Sequence, residues 1–290
     1  MTDSIYPTFS IVTPSYNQGD FVEWTVRSVF EQRYPNIEYI FMDGGSSDDT
    51  LTRIAPWQER FAHFESGPDG GQSAAIAKGF ALARGDIMAY LNSDDVLLPG
   101  ALNYVADYFA RHPEVDFVYG HRCIVNDRNE VTGHWILPPH SSFMMRRWDL
   151  IPQETCFWRR RLFEREGNID PSFQFAMDYD LFVRYMRSGR FRRVNRFLGA
   201  FRVHPNAKTS TQVETVGARE IRKVQEAYGL RLVPLLGDLF SLFVQFRSAR
   251  WVARAGVYPG LPPGIGFNLE QVWGKPQQQI TADSFQENTA

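Results

Sequence analysis

Four consecutive polar residues, Asn92-Ser93-Asp94-Asp95, follow directly on the apolar run from Ile87 to Leu91. Such a run is typical of a central parallel strand that is buried on both faces. Open α/β sheets bind their ligands at the carboxyl ends of these strands. Asp94 and Asp95 could therefore hold a hard cation such as Mg²⁺ or Mn²⁺, which usually binds one or two carboxylates together with substrate phosphates. The alternative is a polar turn that caps the next helix, because Asp is also favoured there.

Three earlier strands are predicted to end in similar polar loops. The strands Phe9 to Thr13, Tyr39 to Met42 and a short one near Phe64 stop at Pro14 to Gly19, Asp43 to Asp49 and Gly67 to Gln72. Strand and helix patterns alternate as far as Phe109, which predicts an α/β fold with a doubly wound, mostly parallel sheet flanked by helices. Because parallel strands end at the same edge of a sheet, all four loops should meet there. The chain has neither a G-x-G-x-x-G dinucleotide motif nor a Walker loop.

The pattern changes after Val115, where short strands and helices mix. Strands are predicted at Phe117 to Tyr119, His121 to Asn126, Val131 to Ile136, Thr155 to Trp158 and Phe191 to Val203, and helices at Arg159 to Arg165, Asp178 to Arg187 and Thr215 to Tyr228. Residues 234–254 mix apolar side chains with arginines, which predicts either a peripheral helix on a membrane surface or a C-terminal helix packed on the domain. The polar stretch 277–290 is predicted to be disordered.

The composition excludes several classes of protein. The 290 residues are 43% hydrophobic, enough for a substantial core, and the 33 acidic residues nearly balance the 31 basic ones, so no global charge favours a nucleic acid partner. Cys123 and Cys156 suit neither a disulfide framework nor a zinc site, which fits a reducing compartment. The first strand leaves no room for a signal peptide, and no apolar run reaches the roughly 18 residues that a membrane span needs. We therefore expect a cytoplasmic protein.

Seven short motifs follow one another in a specific order. They are Ser10-Ile11-Val12-Thr13-Pro14-Ser15-Tyr16-Asn17, Asp43-Gly44-Gly45-Ser46-Ser47-Asp48, Gly71-Gln72-Ser73, Lys78-Gly79, Asn92-Ser93-Asp94-Asp95, Met177-Asp178-Tyr179-Asp180-Leu181 and Arg202-Val203-His204. Together they resemble the motifs of family 2 glycosyltransferases with the GT-A fold. The resemblance covers residues 8–210. It implies a GT-A domain at 1–212, with a nucleotide-sugar-binding half at 8–110 and an acceptor-binding half at 111–212, then a helical extension at 213–276 and the tail at 277–290.

The resemblance implies that a nucleotide-sugar donor lies across the strand ends. Pro14, Ser15 and Tyr16 would then form the base pocket, with the Tyr16 ring against the base. Asp43 would accept a hydrogen bond from a base N–H group or from a ribose hydroxyl. The alternative is that Asp43 caps the turn at Gly44.

Four further residues would lie near the donor by the same resemblance. Asp69 could face the sugar or the ribose. Lys78 contacts the nucleotide or is simply solvated, and the sequence does not separate these two roles. Asn92 and Ser93 occupy the first two places of the family's D-x-D motif. The Asn92 amide can still bind ribose but adds no charge.

The third place of the D-x-D motif holds the metal ion that bridges the two phosphates in this family. Here it is Asp94, which leaves Asp94 as the main ligand of Mg²⁺ or Mn²⁺ and Asp95 as a helper or supporting group. His204 follows the last strand, where a neutral imidazole could complete the metal shell or contact the diphosphate. A plain loop histidine is the alternative. The metal would neutralise charge that develops on the departing diphosphate.

Asp178 matches the general base of the family. A hydroxyl acceptor is a weak nucleophile until a carboxylate takes its proton. One direct displacement then inverts the anomeric carbon. The family usually has Glu before this Asp, whereas this chain has Met177. Asp178 could instead cap the helix that follows, and Asp180 is expected to point away from the site.

The sequence therefore predicts an inverting, metal-dependent glycosyltransferase. By resemblance, the donor is a nucleoside-diphosphate sugar, with a UDP-sugar preferred, and the acceptor is a saccharide or a lipid-linked saccharide in bacterial surface polysaccharide or glycolipid assembly. A sugar-nucleotide pyrophosphorylase would need a basic, glycine-rich triphosphate loop early in the chain, and the region from Ser15 to Gly19 lacks one. A catalytically degenerate module that only binds nucleotide-sugar is favoured by Asn92 and Met177 but disfavoured by the intact aspartates.

Overall fold

A computed structural model describes residues 6–230, 239, 242–243 and 266–273. Its first half alternates strands and helices, as predicted. The elements are β1 (Phe9–Ser15), α1 (Val22–Phe30), β2 (Ile37–Asp43), α2 (Thr50–Ile54), a 3₁₀ helix (Ala55–Arg60), β3 (His63–Ser66), α3 (Gln72–Leu82), β4 (Ile87–Tyr90), β5 (Val96–Leu97) and α4 (Ala101–Arg111). The helical segment from Thr50 to Arg60 is divided into two, because Pro56 lacks the N–H group that would continue α2.

The second half carries the remaining strands and a further set of helices. They are β6 (Phe117–Val125), β7 (Val131–Trp135), α5 (Ser142–Met145), a 3₁₀ helix (Gln153–Thr155), β8 (Phe157–Arg159), α6 (Arg160–Glu166), α7 (Met177–Tyr185), β9 (Phe191–Arg202), α8 (Lys208–Gln212), a π-helical turn (Val213–Gly217), α9 (Ala218–Ala227) and α10 (Glu270–Trp273). The two strands predicted on either side of Gly120 are one strand, β6. A side chain at Gly120 would meet the Arg196 carbonyl at 2.5 Å, so this glycine allows β9 to approach rather than ending the strand.

The sheet has the strand order β3-β2-β1-β4-β8-β6-β9-β5, with β7 paired to β6 as a hairpin. Strands β1 to β4 are mutually parallel. Strand β8 is antiparallel to both β4 and β6, and β6 is parallel to β9. Strands β4, β6 and β9 therefore run in the same direction. The predicted mostly parallel sheet is confirmed, and the carboxyl ends of β1, β2, β3, β4 and β9 share one edge.

Apolar side chains cover both faces of this sheet. One face packs against α1 and α4, and the other packs against α3, α6 and α7. All four residues of β4 are buried, as expected of a central strand. Helix α3 lies close to β1 because Gly79 has no side chain; a Cβ there would lie 2.5 Å from a Val12 methyl group. This contact lets the second half of α3 pack directly on the sheet.

Two predictions concern the C-terminal part of the chain. The membrane-surface helix within 234–254 and the disordered tail at 277–290 lie outside the described residues, apart from 239, 242 and 243. Among the residues that the structure does describe, no helix is both long and apolar enough to cross a membrane.

Candidate active site

The first three strand ends are joined by hydrogen bonds. Ser15 pairs with Asp43, and Asp43 pairs with Ser66, in neighbouring strands. The Gly44 N–H group donates to the Ser15 carbonyl at 2.8 Å, and the Gly67 N–H group donates to the Asp43 carbonyl at 3.0 Å. The loops that follow β1, β2 and β3 therefore begin side by side.

Asp43 organises this edge from inside the protein. Its side chain is buried, and Oδ2 accepts hydrogen bonds from the Gly45 and Ser46 N–H groups at 3.1 and 2.9 Å and from the Ser66 hydroxyl at 2.6 Å. Oδ1 accepts a hydrogen bond from the Ser46 hydroxyl at 2.5 Å. These contacts show Asp43 holding the Gly44–Gly45 turn, which is the alternative role. A nucleoside contact of Asp43 stays a prediction.

The end of β1 presents an aromatic surface. Pro14 and Ser15 are buried, whereas the Tyr16 side chain is 61% exposed. The Ser15 hydroxyl is buried and has no hydrogen-bond partner among the described residues. The loop is fixed by Asn17, whose Oδ1 accepts a hydrogen bond from the Ser47 N–H group at 2.8 Å. A planar ligand could therefore stack on the Tyr16 ring at the rim of the strand ends.

Asp69 and Lys78 have different surroundings. Asp69 is half-buried and accepts a hydrogen bond from the Gly71 N–H group at 2.7 Å, at the start of α3. Lys78 lies about two turns, or roughly 9 Å, further along α3. Its ammonium group pairs with Glu65 of β3 and is half exposed. The structure thus shows Lys78 in its solvated alternative, and a nucleotide contact of Lys78 stays a prediction.

Asn92 is the centre of a chain of side-chain amides. The Gln72 amide donates to Asn92 Oδ1 at 2.7 Å, and Asn92 Nδ2 donates to Gln153 Oε1 at 3.3 Å. Gln153 in turn donates to the Tyr90 carbonyl at 2.7 Å, at the end of β4. This chain ties the start of α3 to the 3₁₀ helix at Gln153–Thr155. Asn92 therefore has a structural reason to be an amide, since it must both accept and donate.

The residues after Asn92 alternate between the surface and the interior. Asn92 and Asp94 are half-buried, whereas Ser93 and Asp95 are 4% and 1% exposed. Asp95 Oδ1 accepts a hydrogen bond from the Arg202 N–H group at 2.9 Å. Burial, and then the neighbouring Asp94 carboxylate, raises the pKa of Asp95 well above its usual value. Asp95 thus supports the loop from behind. Its part in the metal site and the nucleotide contact of Ser93 stay predictions.

Asp94 lies beside His204. Its Oδ2 atom is 3.1 Å from Nε2 of His204, whose ring also contacts the Phe21 ring at a centroid distance of 4.6 Å. The His204 side chain is 3% exposed and that of Asp94 is 20% exposed. The Arg202 guanidinium donates to the Asp94 carbonyl at 2.8 Å, which fixes the loop. The structure therefore brings together two of the predicted metal ligands, from the ends of β4 and β9.

These two side chains suit a divalent cation whose remaining ligands come from a diphosphate and water. Within the described residues, no three His, Cys, Asp or Glu side chains are grouped as a complete protein metal site. Mg²⁺ and Mn²⁺ commonly keep water and substrate phosphate oxygens as ligands, so one carboxylate and one imidazole are a sufficient protein share. Asp94 and His204 are the residues that would hold the ion.

Asp178 lies in the first turn of α7. Its Oδ1 accepts a hydrogen bond from the Tyr179 N–H group at 2.8 Å. Burial raises the pKa of Asp178 to about 6. Burial raises the pKa of the Tyr90 hydroxyl at the end of β4 well above its usual value, and Asp178 is the next largest cause. Met177, the residue before Asp178, is buried in the same core cluster as Tyr90 of β4.

The start of α7 is positioned by a carboxylate that no sequence motif singles out. Glu220 of α9 accepts hydrogen bonds from the N–H groups of Gln174, Phe175 and Ala176, at 2.8 to 3.2 Å. Although burial opposes it, these donors lower the pKa of Glu220. Asp180 lies two residues after Asp178 in α7, and its carboxylate pairs with the Arg184 guanidinium at 2.9 Å. Asp180 therefore serves α7 itself.

A buried ion pair was also missed by sequence reasoning. Arg122 of β6 forms a two-pronged contact with Glu154, with distances of 2.8 and 2.7 Å, and its guanidinium lies over the Trp135 and Phe201 rings. Asp149 lies in the same cluster; burial, and then Asp178, raises its pKa well above the usual value. No local periodicity distinguishes these residues, because only the folding of distant segments brings their charges together.

A cavity of about 260 Å³ opens beside this edge. The start of α3, the loop before α7 and helix α8 line it. The lining residues are Gly70, Gly71, Gln72, Ser73, Pro171, Ser172, Phe173, Gln174, Lys208 and Gln212. Gln72 joins this cavity to the Asn92 amide chain.

A mostly parallel sheet with these groups at its carboxyl edge defines an α/β protein with a GT-A-type architecture. The family model of glycosyl transferase family 2 matches residues 10–170, which is more than half of the chain. The chain therefore belongs to the family 2 glycosyltransferases.

Two relatives illustrate the range of this similarity. The chain is 32% identical over 187 residues to an uncharacterized glycosyltransferase of Mycobacterium tuberculosis (strain H37Rv), a match that covers 61% of this chain and 68% of the relative. It is 27% identical over 183 residues to an O-antigen biosynthesis protein of Myxococcus xanthus, covering 61% of this chain and 14% of that much longer protein.

Two solved structures share the fold. S. aureus TarS 1-349 in complex with UDP-GlcNAc has a TM-score of 0.58 at 17% identity, covering 70% of this chain and 61% of that one. The mannosyltransferase PcManGT of Pyrobaculum calidifontis, in complex with GDP-Man and Mn²⁺, has a TM-score of 0.57 at 18% identity, covering 89% and 77%. The predicted GT-A fold is confirmed.

Proposed function

We propose that this protein is an inverting, metal-assisted glycosyltransferase that moves one sugar from a nucleoside diphosphate to an acceptor hydroxyl. The observation that carries the proposal is the 3.1 Å contact between Asp94 and His204. It places a carboxylate and an imidazole at the sheet edge where a GT-A-type protein binds its donor. Asp178 follows Met177, which packs in the same core cluster as Tyr90 at the end of β4.

The donor is a nucleoside-diphosphate sugar, with a UDP-sugar preferred. Its base stacks on the exposed Tyr16 ring, beside Pro14 and Ser15, and its diphosphate reaches towards Asp94. The ligands of the two structural neighbours, UDP-GlcNAc and GDP-Man, support a donor of this class.

Asp94 and His204 are the residues that would hold Mg²⁺ or Mn²⁺. When bound, the ion neutralises the charge of the leaving diphosphate. The Mn²⁺ in the mannosyltransferase complex supports this choice of metal. Asp95 and Arg202 keep Asp94 in place from behind, through the hydrogen bonds described above.

Asp178 is the general base. With a pKa of about 6, it is mostly ionised at neutral pH yet basic enough to take a proton from a hydroxyl group in the transition state. The hydroxyl oxygen then bonds to the anomeric carbon as the bond to the diphosphate oxygen breaks. A single displacement of this kind inverts the configuration of that carbon. Glu220 keeps Asp178 in position by fixing the loop before α7.

The acceptor is a saccharide or a lipid-linked saccharide of bacterial surface polysaccharide or glycolipid. The relative in O-antigen biosynthesis supports this setting. Residues 8–110 bind the donor, and residues 111–212 bind the acceptor. The cavity beside Lys208 and Gln212 offers polar groups for a sugar.

The test is a thermal stability screen of nucleotide-sugars with and without Mn²⁺, followed by assay of sugar release and transfer. A ligand that binds only the folded state must raise its apparent stability. We expect one class of nucleoside-diphosphate sugar to stabilise the protein only with metal, and to be slowly hydrolysed or transferred. Stabilisation without any hydrolysis or transfer would instead favour the degenerate binding module that Asn92 and Met177 suggest.

A further inference from the structure

Strands β6, β7 and β9 carry two aromatic side chains beside Arg122. Arg122 of β6 lies opposite Trp135 of β7 on one side and opposite Gly199 of β9 on the other. Its guanidinium carbon is 5.1 Å from the centre of the Trp135 ring and 4.6 Å from the centre of the Phe201 ring. Both rings are partly exposed. We call this surface the Trp135–Phe201 platform, because one guanidinium group joins the two rings.

The alternation of β6 shows that this platform belongs to the more open face of the strand. Arg122 and Ile124 are partly exposed, whereas His121, Cys123 and Val125, which point to the opposite face, are buried. Ile124 lies opposite Phe201 of β9 and therefore extends the platform along the strand. The platform is thus an apolar surface with one guanidinium group in it.

Glu154 holds this guanidinium group and neutralises its charge. The Glu154 side chain is buried, and its two oxygens accept hydrogen bonds from Nε and Nη2 of Arg122 at 2.8 and 2.7 Å. A Cβ at Gly199 would lie 2.7 Å from the Glu154 carbonyl oxygen, so this glycine lets Glu154 approach β9. Within the part of the chain that the structure describes, Nη1 of Arg122 has no hydrogen-bond partner. The platform therefore offers hydrogen-bond donors without a net positive charge.

The contacts of the platform place it between two parts of the candidate site. Trp135 packs against the apolar cluster that contains both chain neighbours of Asp178, the proposed base. Phe201 directly precedes Arg202, which donates a hydrogen bond to the Asp94 carbonyl. A sugar on the platform would therefore lie between the group that takes the proton and the loop proposed for the donor diphosphate, which is where an acceptor must lie.

We propose that Trp135 and Phe201 form the acceptor subsite and bind an uncharged pyranose ring. This inference rests on the proposed function and names the class of its acceptor. A pyranose ring has C–H groups on its faces and hydroxyl groups at its rim. A face packs on the aromatic rings, and a rim hydroxyl accepts a hydrogen bond from Nη1 of Arg122. An acidic sugar gains no ion pair here, because Glu154 already neutralises the guanidinium group.

The first experiment measures sugar binding by saturation-transfer NMR in the presence of UDP and Mn²⁺. The probes are the methyl glycosides of glucose, galactose, mannose and N-acetylglucosamine, together with methyl glucuronide. We expect saturation of the ring C–H protons of at least one neutral glycoside and none of the glucuronide. Trp135→Ala and Phe201→Ala should each weaken this binding about tenfold or more, as expected for loss of a central aromatic contact, whereas Trp135→Phe should retain it.

Phe143→Ala is the matched control for these variants. Phe143 is 58% exposed on α5, so its removal deletes an accessible aromatic ring outside the platform and should leave glycoside binding unchanged. Melting temperatures check that each variant is folded.

The second experiment measures transfer to the glycoside that binds. Trp135→Ala should raise the acceptor KM about tenfold or more, while its affinity for UDP stays that of the wild type. The inference is overturned if no neutral glycoside binds, if the glucuronide binds as well as the neutral sugars, if both platform variants bind like the wild type, or if Phe143→Ala loses binding equally. In each case, UDP binding and donor hydrolysis by the wild type would still uphold the proposed function. If the wild type binds no nucleoside diphosphate, the proposed function itself fails.

Discussion

Oδ2 of Asp94 and Nε2 of His204 lie 3.1 Å apart, although 110 residues separate them in the chain. Strands β4 and β9 run in the same direction and end at the same edge, which is why residues that follow each of them meet. The sequence shows both residues after apolar strands but cannot show that the strands end together.

The first prediction concerns the metal. Asp94→Ala should abolish Mn²⁺-dependent stabilisation by UDP and reduce turnover to background, because it removes a metal ligand. His204→Ala should weaken Mn²⁺ affinity by at least about tenfold for the same reason. Thermal shift titrations with Mn²⁺ and UDP measure this. His112→Ala is the matched control, since this exposed histidine lies just past α4. Wild-type metal dependence in both site variants would contradict the proposed metal position.

The second prediction concerns the base. Asp178→Asn should lower kcat by about 10²- to 10⁴-fold and leave donor affinity unchanged, because the carboxylate acts on the acceptor proton. In the wild type, kcat should rise with an apparent pKa of about 6, and the residual activity of the variant should lack this limb. Asp180→Asn should be less stable, because it removes the ion pair with Arg184, but its kcat should keep the wild-type pH dependence. A larger kcat loss in Asp180→Asn would mean that the base has been assigned to the wrong aspartate.

The same aspartate should affect stability with a defined sign. Burial raises the pKa of Asp178 from 3.8 to about 6, so the folded protein holds a proton that the unfolded chain releases. This contribution favours folding below about pH 4 and is lost as the pH rises through 6. At pH 7, Asp178→Asn should therefore raise the free energy of unfolding by about 1–3 kcal/mol, measured by urea denaturation. Equal stability of variant and wild type at pH 7 would count against burial of an ionised carboxylate.

The third prediction concerns Asn92. Replacing it with Asp would restore a charge at the first place of the D-x-D motif but would remove the hydrogen bond that Asn92 Nδ2 donates to Gln153. We expect Asn92→Asp to cost about 1–2 kcal/mol of unfolding free energy. Urea denaturation of Asn92→Asp, of Gln153→Ala and of the double variant measures the coupling free energy between the two side chains. Additive effects of the two substitutions would show that the contact between Asn92 and Gln153 does not contribute to stability.

The fourth prediction concerns Glu220. Three backbone N–H donors outweigh burial and lower its pKa, so its contribution to stability is present above the usual value of 4.5 and is lost as the pH falls further. Glu220→Gln should cost about 1–3 kcal/mol at pH 7 and flatten the acid limb of the stability profile. It should also reduce kcat, since the loop before Asp178 loosens. Exposed Glu226→Gln on the same helix is the control.

The fifth prediction separates Tyr16 from Asp43. Tyr16→Ala removes an exposed ring and should weaken nucleoside diphosphate binding about tenfold or more without loss of stability. Asp43→Asn should instead lower the melting temperature, because its two oxygens hold the turn after β2. Calorimetry and thermal denaturation of both variants test this. Unchanged stability in Asp43→Asn would return this residue to the nucleoside site.

The sequence by itself determined the alternation of strands and helices, the parallel first half of the sheet and the edge at which the candidate site lies. The apolar run ending at Leu91 and the polar loops after β1, β2 and β3 carry this information locally, because burial on both faces demands continuous apolar side chains. The motifs also placed Asp94, His204 and Asp178 in the candidate site before their positions were known.

Only the tertiary structure decided how the individual polar groups are used. Asp43, Ser93 and Asp95 turn inwards while Asp69 reaches over Gly44, and neither fact follows from residue type or spacing. The same holds for Glu220 at the start of α7 and for Arg122 with Glu154. A polar side chain takes the role that its nearest buried donors and acceptors assign, since an unpaired buried group is costly. Those partners come from distant segments, so their identity is fixed only when the strands and helices pack.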